Sequence, residues 1–133
     1  MEKQFITWQE VDECVDFLVQ WVQNSHKKVT GVYGLPRGGL VLAVMLSHRL
    51  HVPLLGAPTQ DCVIVDDLSD SGQTLWPFRE RYTILTMHCK MGSLVVPDAY
   101  FKLKPDAWVV YPWEAQDESS VDEDNTLFTS SRG

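Results

Sequence analysis

A short apolar run in the middle of the chain ends in two acids, and it constrains the fold more than any other feature. The run Cys62 to Asp66 (CVIVD) is apolar on both faces, which is typical of a central strand in a covered parallel sheet. Tyr82 to Cys89 (YTILTMHC) has the same character, and two further strands are predicted at Lys28 to Gly34 and Trp108 to Tyr111. Parallel strands are joined by crossovers, so helices are expected between them.

Helical patterns occupy the stretches between these strands. Thr7 and Glu10 have the spacing of a capping box, and apolar residues then recur at helical steps, so the first helix is predicted to end near Asn24. A second helix is predicted over Leu40 to Leu50 and a third from about Gly72. Alternating strands and helices predict the α/β fold class, with an open, mainly parallel sheet flanked by helices.

Composition indicates one compact domain and a tail. The 133 residues have a formal net charge of −7, and six of the acids lie between Glu114 and Asp124. We therefore predict a domain over residues 1–114 and an acidic, flexible tail over residues 115–133. With the acidic stretch set aside, the remaining charge is close to neutral, so no nucleic-acid partner is expected.

Cysteine usage and hydropathy favour a cytoplasmic protein. The three cysteines, an odd number at wide spacing, fit neither a disulfide framework nor a metal knuckle. No apolar run approaches the roughly 20 residues that a membrane-spanning helix needs, and the amino terminus lacks the pattern of a secretory signal. We expect a cytoplasmic protein with no membrane span.

The segment after the central strand carries the strongest chemical pattern. Ligands of open α/β sheets bind beyond the carboxyl ends of the strands, and here the strand runs into Asp66 and Asp67. Adjacent carboxylates repel each other unless a cation or hydroxyl groups share them, and a helix start behind them would suit a phosphate. A plain helix cap by Asp70 or Ser71 explains only the end of the segment. Leu68 stands where an EF-hand calcium loop needs an oxygen ligand, so that loop is excluded.

This segment resembles the phosphoribosyl pyrophosphate (PRPP) signature of the type I phosphoribosyltransferases, and it matches every position from Val63 to Thr74. The signature is an apolar strand, two acids, two further residues, Asp, Ser or Thr, Gly, a variable residue and Thr. The resemblance implies that Asp66 and Asp67 hold the ribose hydroxyls and a Mg²⁺ ion, and that Asp70 is a catalytic residue under the reaction centre. Four residues would wrap the 5′-phosphate: Ser71, Gly72, Gln73 and Thr74.

The earlier turn from Gly34 to Gly39 has the glycines of a Walker loop, but Leu40 and Val41 replace the required Lys and Ser or Thr. An ATPase loop is therefore rejected, and an ordinary strand-to-helix turn remains possible from the residues alone. The turn is also similar to the pyrophosphate-binding loop of the same family. That similarity implies PRPP contacts from three residues, Pro36, Arg37 and Gly38. Arg37 would be a catalytic cation, and a cis peptide bond would lie at Arg37 or beside it.

Two further stretches resemble the xanthine-guanine phosphoribosyltransferases of this family. They are the strand end at Lys90 and the segment from Trp108 to Glu114, which has a W-x-x-x-P-W-acid pattern. Carried over, Lys90 would donate to the oxygen at purine position 6, Trp108 would stack on the base, and the backbone of Val109 would read position 2. Taken alone, Lys90 would more often be a solvated lysine at a strand end and Trp108 a core aromatic. The histidines are assigned no function.

One part of the family pattern is missing. Relatives place a long flexible ribbon before the strand with the acid pair, and this ribbon covers the site and excludes water. Here residues 56–60 are all that lies between the short apolar piece Pro53 to Gly56 and that strand. The resemblance therefore implies a type I phosphoribosyltransferase-like fold with a reduced hood.

Together these features predict a Mg²⁺-dependent enzyme that transfers ribose 5-phosphate from PRPP to guanine, xanthine or hypoxanthine and releases diphosphate. Its partners would be PRPP, a purine base or nucleotide, and further copies of itself in a dimer or tetramer. Two alternatives stay open. One is a nucleotide-binding module that acts as a sensor and has lost turnover with its loop, and the other is an enzyme of the same fold that uses a different base or ribosyl donor.

Overall fold

The computed structural model describes residues 2–114, so the predicted acidic tail over residues 115–133 lies outside the described residues. Two α-helices, six strands and one turn of 3₁₀ helix make up the described part of the chain. In chain order these elements are β1 (Lys3–Phe5), α1 (Trp8–Ser25), β2 (Gly31–Gly34), α2 (Leu40–Leu50), β3 (Cys62–Ser69), the 3₁₀ helix (Trp76–Phe78), β4 (Thr83–Cys89), β5 (Ala99–Leu103) and β6 (Trp108–Val110).

The strands form two parallel sheets. The main sheet has the order β2-β3-β4-β5, with all neighbours parallel. A second sheet consists of β1 and β6, which pair in parallel with Lys3 opposite Trp108. The predicted α/β class with a mainly parallel, helix-flanked sheet is confirmed.

The main sheet is covered on both faces, which explains why its central strand is apolar throughout. Val63 and Val65 of β3 point to one face and belong to a core cluster with the buried sides of α1 and α2. Cys62 and Ile64 alternate with them and pack on the other face, against Leu75 and other apolar residues outside the two helices. No polar face remains on β3 in this part of the strand, because each of these four side chains is buried.

The first two of the three predicted helices are confirmed. At the start of α1 the Thr7 side chain accepts a hydrogen bond from the Glu10 amide (3.1 Å), and the Glu10 carboxylate accepts one from the Thr7 amide (3.1 Å), so both halves of the capping box are present. The helix ends at His26, which adopts a left-handed conformation. Helix α2 has the predicted bounds.

The predicted third helix, from about Gly72, is wrong. The chain forms bends and turns there, followed by the single 3₁₀ turn. Pro77 gives the physical reason, since it has no amide to donate to the carbonyl four residues earlier and its ring clashes with that turn of an α-helix. The acid-pair strand is also longer than predicted, because β3 continues past Asp66 to Ser69 while it stays paired with β4.

Two strands escaped prediction and one lies in another sheet than expected. β1 and β5 are short, and β1 is wholly exposed, so neither has an apolar alternation strong enough to predict it. Because β5 occupies the edge beside β4, the predicted strand from Trp108 pairs with β1 instead of extending the main sheet. The predicted strand from Lys28 begins only at Gly31.

The piece between α2 and β3 stays short. Val32 in β2 donates to the Pro53 carbonyl (2.9 Å) and accepts from the Leu55 amide (2.8 Å), so this piece adds an isolated bridge at the outer edge of the sheet. Residues 56–60 then turn directly into β3. Within residues 2–114 no helix combines the length and the apolar character needed to cross a membrane.

Candidate active site

The acid pair lies where β3 outruns its neighbour. β2 pairs with β3 only as far as Gly34 opposite Val65, whereas the other edge of β3 stays paired with β4 up to Ser69. On the β2 side of β3, Asp66 and Asp67 therefore border the turn that follows β2, whereas the β4 side stays paired. The Leu35 amide donates to the Val65 carbonyl (2.9 Å) and fixes the start of that turn against β3.

The two carboxyl groups are half-buried and lie next to each other. The Asp67 amide donates to Asp66 Oδ1 (2.9 Å), which keeps the two side chains together. Burial, followed by the negative charge of Asp67, raises the pKa of Asp66 from 3.8 to about 8. Burial also raises the pKa of Asp67. The fold therefore disfavours the state in which both carboxyl groups are ionised, unless a cation binds and offsets their charge.

The turn after β2 closes on the acid pair. Its Pro36–Arg37 peptide bond is cis, at the place that the sequence resemblance implied. A side-chain carbon added at Gly38 would collide with the Asp67 carboxylate, so the backbone of the turn lies directly against that carboxylate. The Arg37 side chain is exposed and makes no ion pair with any residue in the described range 2–114. It is a cation left accessible beside two acids.

The turns after β3 and β4 hold each other in place. The Lys90 amide donates to the Ser69 carbonyl (2.8 Å), and the Leu94 amide donates to the Ser71 carbonyl (2.9 Å). Gly72 has φ +93° and packs on this second turn, where an added side-chain carbon would lie 2.6 Å from the Val95 amide nitrogen. The predicted phosphate-binding residues thus form a turn that is supported by the turn after β4, and they do not form a helix start. Three of them are exposed: Ser71, Gln73 and Thr74.

The same contacts bring two charged residues together. Lys90 Nζ lies 3.7 Å from Asp70 Oδ1, and both side chains are 59% exposed. An ion pair this open to water contributes little to stability. Both charged groups are therefore available to other partners. They lie over the same edge of the sheet.

A buried tyrosine links the last segment to the acid pair. The hydroxyl of Tyr111 donates to the backbone carbonyl of Asp67 (3.2 Å) and lies 2.8 Å from Nδ1 of His88. The Tyr111 ring stacks on Trp113, with 5.0 Å between the centroids, and Trp113 contacts Trp8. Burial raises the pKa of Tyr111, and burial together with nearby Lys102 lowers the pKa of His88 to about 4.

The two remaining predicted residues lie in the second sheet. Trp108 is 61% exposed at the start of β6, so it is not the core aromatic of the plainer interpretation. Val109 is buried beside it. Within the described residues no ion pair, ring contact or side-chain hydrogen bond joins either residue to Asp70 or Lys90. The predicted base-binding residues are therefore split between two sheets that Tyr111 connects.

The acid pair has the donor chemistry for Mg²⁺. Among residues 2–114 there is no cluster of three or more His, Cys, Asp or Glu side chains that would enclose a metal ion. Mg²⁺ typically takes one or two carboxylates and keeps water or substrate oxygens for its other positions. Two adjacent carboxyl groups supply that number of ligands, whereas a structural zinc site needs a closed set of Cys, His or carboxylate ligands.

A separate cavity of about 430 Å³ lies at the other end of the main sheet, near the starts of β3 and β4. Lys28, Asp61, Arg79 and Asp98 are among its lining residues. None of the predicted site residues lines it, so it is not part of the candidate active site.

Sequence reasoning missed His88 and Tyr111. Both looked like ordinary members of a strand and of an aromatic segment, and nothing in the local pattern distinguishes them. The hydrogen bonds that join Tyr111 to His88 and Asp67 span 23 and 44 positions of sequence. Only the tertiary structure brings these three residues together.

Comparison with known proteins places the chain among purine phosphoribosyltransferases. It is 26% identical to the xanthine-guanine phosphoribosyltransferase of Idiomarina loihiensis over 139 residues, which cover 83% of this chain and 86% of that protein. A crystal structure of a purine phosphoribosyltransferase from Pyrococcus horikoshii is 31% identical, with a TM-score of 0.73 over 87% of this chain and 97% of that chain. No family model matches the chain.

A more distant structure shares the same fold. The Helicobacter pylori xanthine-guanine-hypoxanthine phosphoribosyltransferase is 18% identical, with a TM-score of 0.74 over 85% of this chain and 94% of that chain. The alignment with the Idiomarina protein has 139 positions although it uses only 83% of the 133 residues here. That relative therefore carries segments with no counterpart in this chain.

Proposed function

Because the chain belongs to the type I phosphoribosyltransferases, with purine phosphoribosyltransferases as its relatives, we propose that it transfers ribose 5-phosphate from PRPP to a 6-oxopurine. The bond between ribose C1 and the diphosphate oxygen breaks, a bond to a purine nitrogen forms, and that nitrogen loses its proton. Guanine, xanthine and hypoxanthine are the acceptors, and diphosphate is the leaving group.

One observation carries the proposal. The half-buried acid pair lies in direct contact with the backbone of the 36–38 turn, at the carboxyl end of β3. A plain helix cap or a solvated strand end would not hold two acids whose pKa values are raised by burial. A ligand that brings hydroxyl groups, a cation and phosphates at once would satisfy these groups together.

The residues in and around the acid pair are each proposed to bind a different part of PRPP. Asp66 and Asp67 bind the ribose hydroxyls and hold Mg²⁺, which when bound offsets negative charge on the diphosphate. Arg37, exposed and without an ion pair among residues 2–114, donates hydrogen bonds to the diphosphate. Gly72 brings the backbone of the turn close to the 5′-phosphate. The chain's main contribution is positioning and charge stabilisation of an oxocarbenium-like transition state.

Lys90 and Asp70 act on opposite sides of the reacting bond. The backbone contacts between their two turns place both side chains over the same edge of the sheet, where both remain exposed. Lys90 is proposed to donate to the purine oxygen at position 6, which frees Asp70 to stabilise the positive charge that develops on the ribose. Trp108 stacks on the base from the second sheet, and Val109 contributes its backbone carbonyl.

A sensor that binds PRPP or nucleotides without turnover is the second candidate, and one observation favours it. Residues 56–60 are too short to form a cover over the site, and exclusion of water normally strengthens the electrostatic contacts in such a site. We further propose that the protein works in the cytoplasm as a homo-oligomer, in which a second copy supplies part of the missing cover.

Diphosphate release separates these candidates. It is measured with PRPP and Mg²⁺, with each purine in turn and with no purine. We expect release that depends on a 6-oxopurine, and we expect Asp70→Asn to abolish it while the matched exposed variant Asp106→Asn does not. Binding of PRPP without release under any condition would refute the enzyme and support the sensor.

A further inference from the structure

The ring of Tyr111 is buried and stacked, so a phenylalanine could pack almost as well and the hydroxyl needs a separate explanation. The residue is only 2% exposed, its ring already stacks on Trp113, and it belongs to the main core cluster. A buried hydroxyl costs free energy unless it finds hydrogen-bond partners. Here it finds two, the Asp67 carbonyl at 3.2 Å and His88 Nδ1 at 2.8 Å.

With a neutral His88 ring, only one arrangement of protons satisfies both contacts. A backbone carbonyl can only accept, so the single hydroxyl proton of Tyr111 must point to Asp67. The tyrosine oxygen then has to accept from His88, which places the proton of the neutral imidazole on Nδ1 and leaves Nε2 without one. The result is a directed chain from His88 through Tyr111 to Asp67.

Each end of this chain is fixed by a different element. His88 lies in β4, where it pairs with Leu68 of β3, and its side chain is buried. Tyr111 follows directly after β6 and is held by its stack on Trp113. The chain therefore connects the second sheet to the one residue of the acid pair whose carboxylate touches Gly38.

We propose that Tyr111 is a positioning residue for the acid pair, that it acts through the backbone of Asp67, and that His88 orients its hydroxyl. The effect on PRPP rests on the proposed function, whereas the effect on a metal ion rests only on the acid pair. The second sheet then serves two purposes, since it carries Trp108 and also sets the position of the groups on the opposite side of the site.

The proton arrangement is tested first, by ¹⁵N NMR of the wild-type protein with labelled histidine. We expect His88 as a neutral ring protonated at Nδ1 and unprotonated at Nε2, and we expect it to stay neutral well below the pH at which an ordinary histidine gains a proton. A ring protonated at Nε2 would overturn the proposal, because Tyr111 would then have to donate to His88 and would have no proton left for Asp67.

The positioning role is tested by Tyr111→Phe, with Mn²⁺ alone and Mg²⁺ with PRPP as the two probes in binding titrations. Loss of one neutral hydrogen bond should weaken both affinities by about three- to tenfold. The matched control is Tyr82→Phe, which removes the hydroxyl of a half-buried tyrosine at the other end of the main sheet, and it should leave both affinities unchanged. Equal affinities in the wild type and Tyr111→Phe would overturn the proposal.

Two histidine variants extend the test. His88→Asn keeps an N–H donor near the position of Nδ1 and should retain wild-type affinities, whereas His88→Phe should bind as weakly as Tyr111→Phe. The double variant His88→Phe with Tyr111→Phe should be no weaker than Tyr111→Phe alone, since both changes break one chain. Additive losses would overturn the shared role. Wild-type protein that binds Mn²⁺ but not PRPP would refute the proposed function and leave the Mn²⁺ comparison as the test of positioning.

Discussion

Replacing Asp66 and Asp67 together by asparagine should stabilise the metal-free protein, and the gain should grow as the pH rises. Burial and mutual repulsion favour the protonated acids in the folded state, with the pKa of Asp66 raised from 3.8 to about 8. A carboxyl group whose pKa is raised by folding has no effect on the unfolding free energy below its unfolded pKa. The unfolding free energy then falls as the pH rises from the unfolded pKa to the folded pKa. Asparagine cannot ionise, so the double variant escapes this loss.

The structure sets the size of the effect. Between its unfolded and folded pKa values, one such group lowers the unfolding free energy by about 1.4 kcal/mol per pH unit. Because the pair is half-buried and water still reaches it, we expect roughly half of this slope, or about 1–2 kcal/mol between about pH 5 and about pH 7. The hydrogen bond from the residue-67 amide to the residue-66 side chain survives in the variant, since the asparagine oxygen also accepts.

The assay is urea unfolding of both proteins in a chelator at several pH values from about 5 to about 8. The matched control, Asp12→Asn, removes an exposed carboxylate from α1 and should not reproduce the stabilisation of the double variant. Excess Mg²⁺ should flatten the pH dependence of the wild type and leave the double variant unaffected. A difference between wild type and double variant that is constant across this range would refute the electrostatic account of the acid pair.

Four further predictions follow from the site and its surroundings. Lys90→Met should cost about ten- to hundredfold in transfer to guanine, xanthine or hypoxanthine and less with adenine, because a charge-assisted hydrogen bond to the position-6 oxygen is lost; equal losses for all four bases would assign Lys90 a structural role. Gly72→Ala should lower the unfolding free energy by about 1–3 kcal/mol, since φ is +93° and the new carbon meets the Val95 amide, and an unchanged midpoint in urea would contradict this. PRPP hydrolysis should be slower than transfer but closer to the transfer rate than in a relative with the long ribbon, because residues 56–60 cannot cover the site, unless a second copy supplies a cover that is lost on dilution; tightly coupled transfer by a verified monomer would refute it. Truncation after Glu114 should leave the melting temperature nearly unchanged, and a drop of many degrees would show that the removed residues pack on the domain.

Local patterns were sufficient for several elements of the fold. The capping box at Thr7 and the apolar period behind it define α1 because both are set by residues three or four apart. The run at Cys62 predicts a central strand because a strand covered on both faces needs apolar side chains at every position. The same kind of local evidence failed at Gly72, where Pro77 prevents the helix and the turn is held instead by the Leu94 amide, which donates to the Ser71 carbonyl.

The candidate groups of the site could be identified from short stretches of sequence, whereas their arrangement depends on the tertiary structure. Asp66 and Asp67 were predicted from a short signature at one strand end, and Arg37 was predicted from a separate short turn at the end of an earlier strand. That Gly38 touches the Asp67 carboxylate depends on β2 ending four residues before β3, a difference in strand length that no local pattern records. The link from His88 through Tyr111 to Asp67 joins residues far apart in sequence, and only the packing of the second sheet against the first brings them within hydrogen-bond distance.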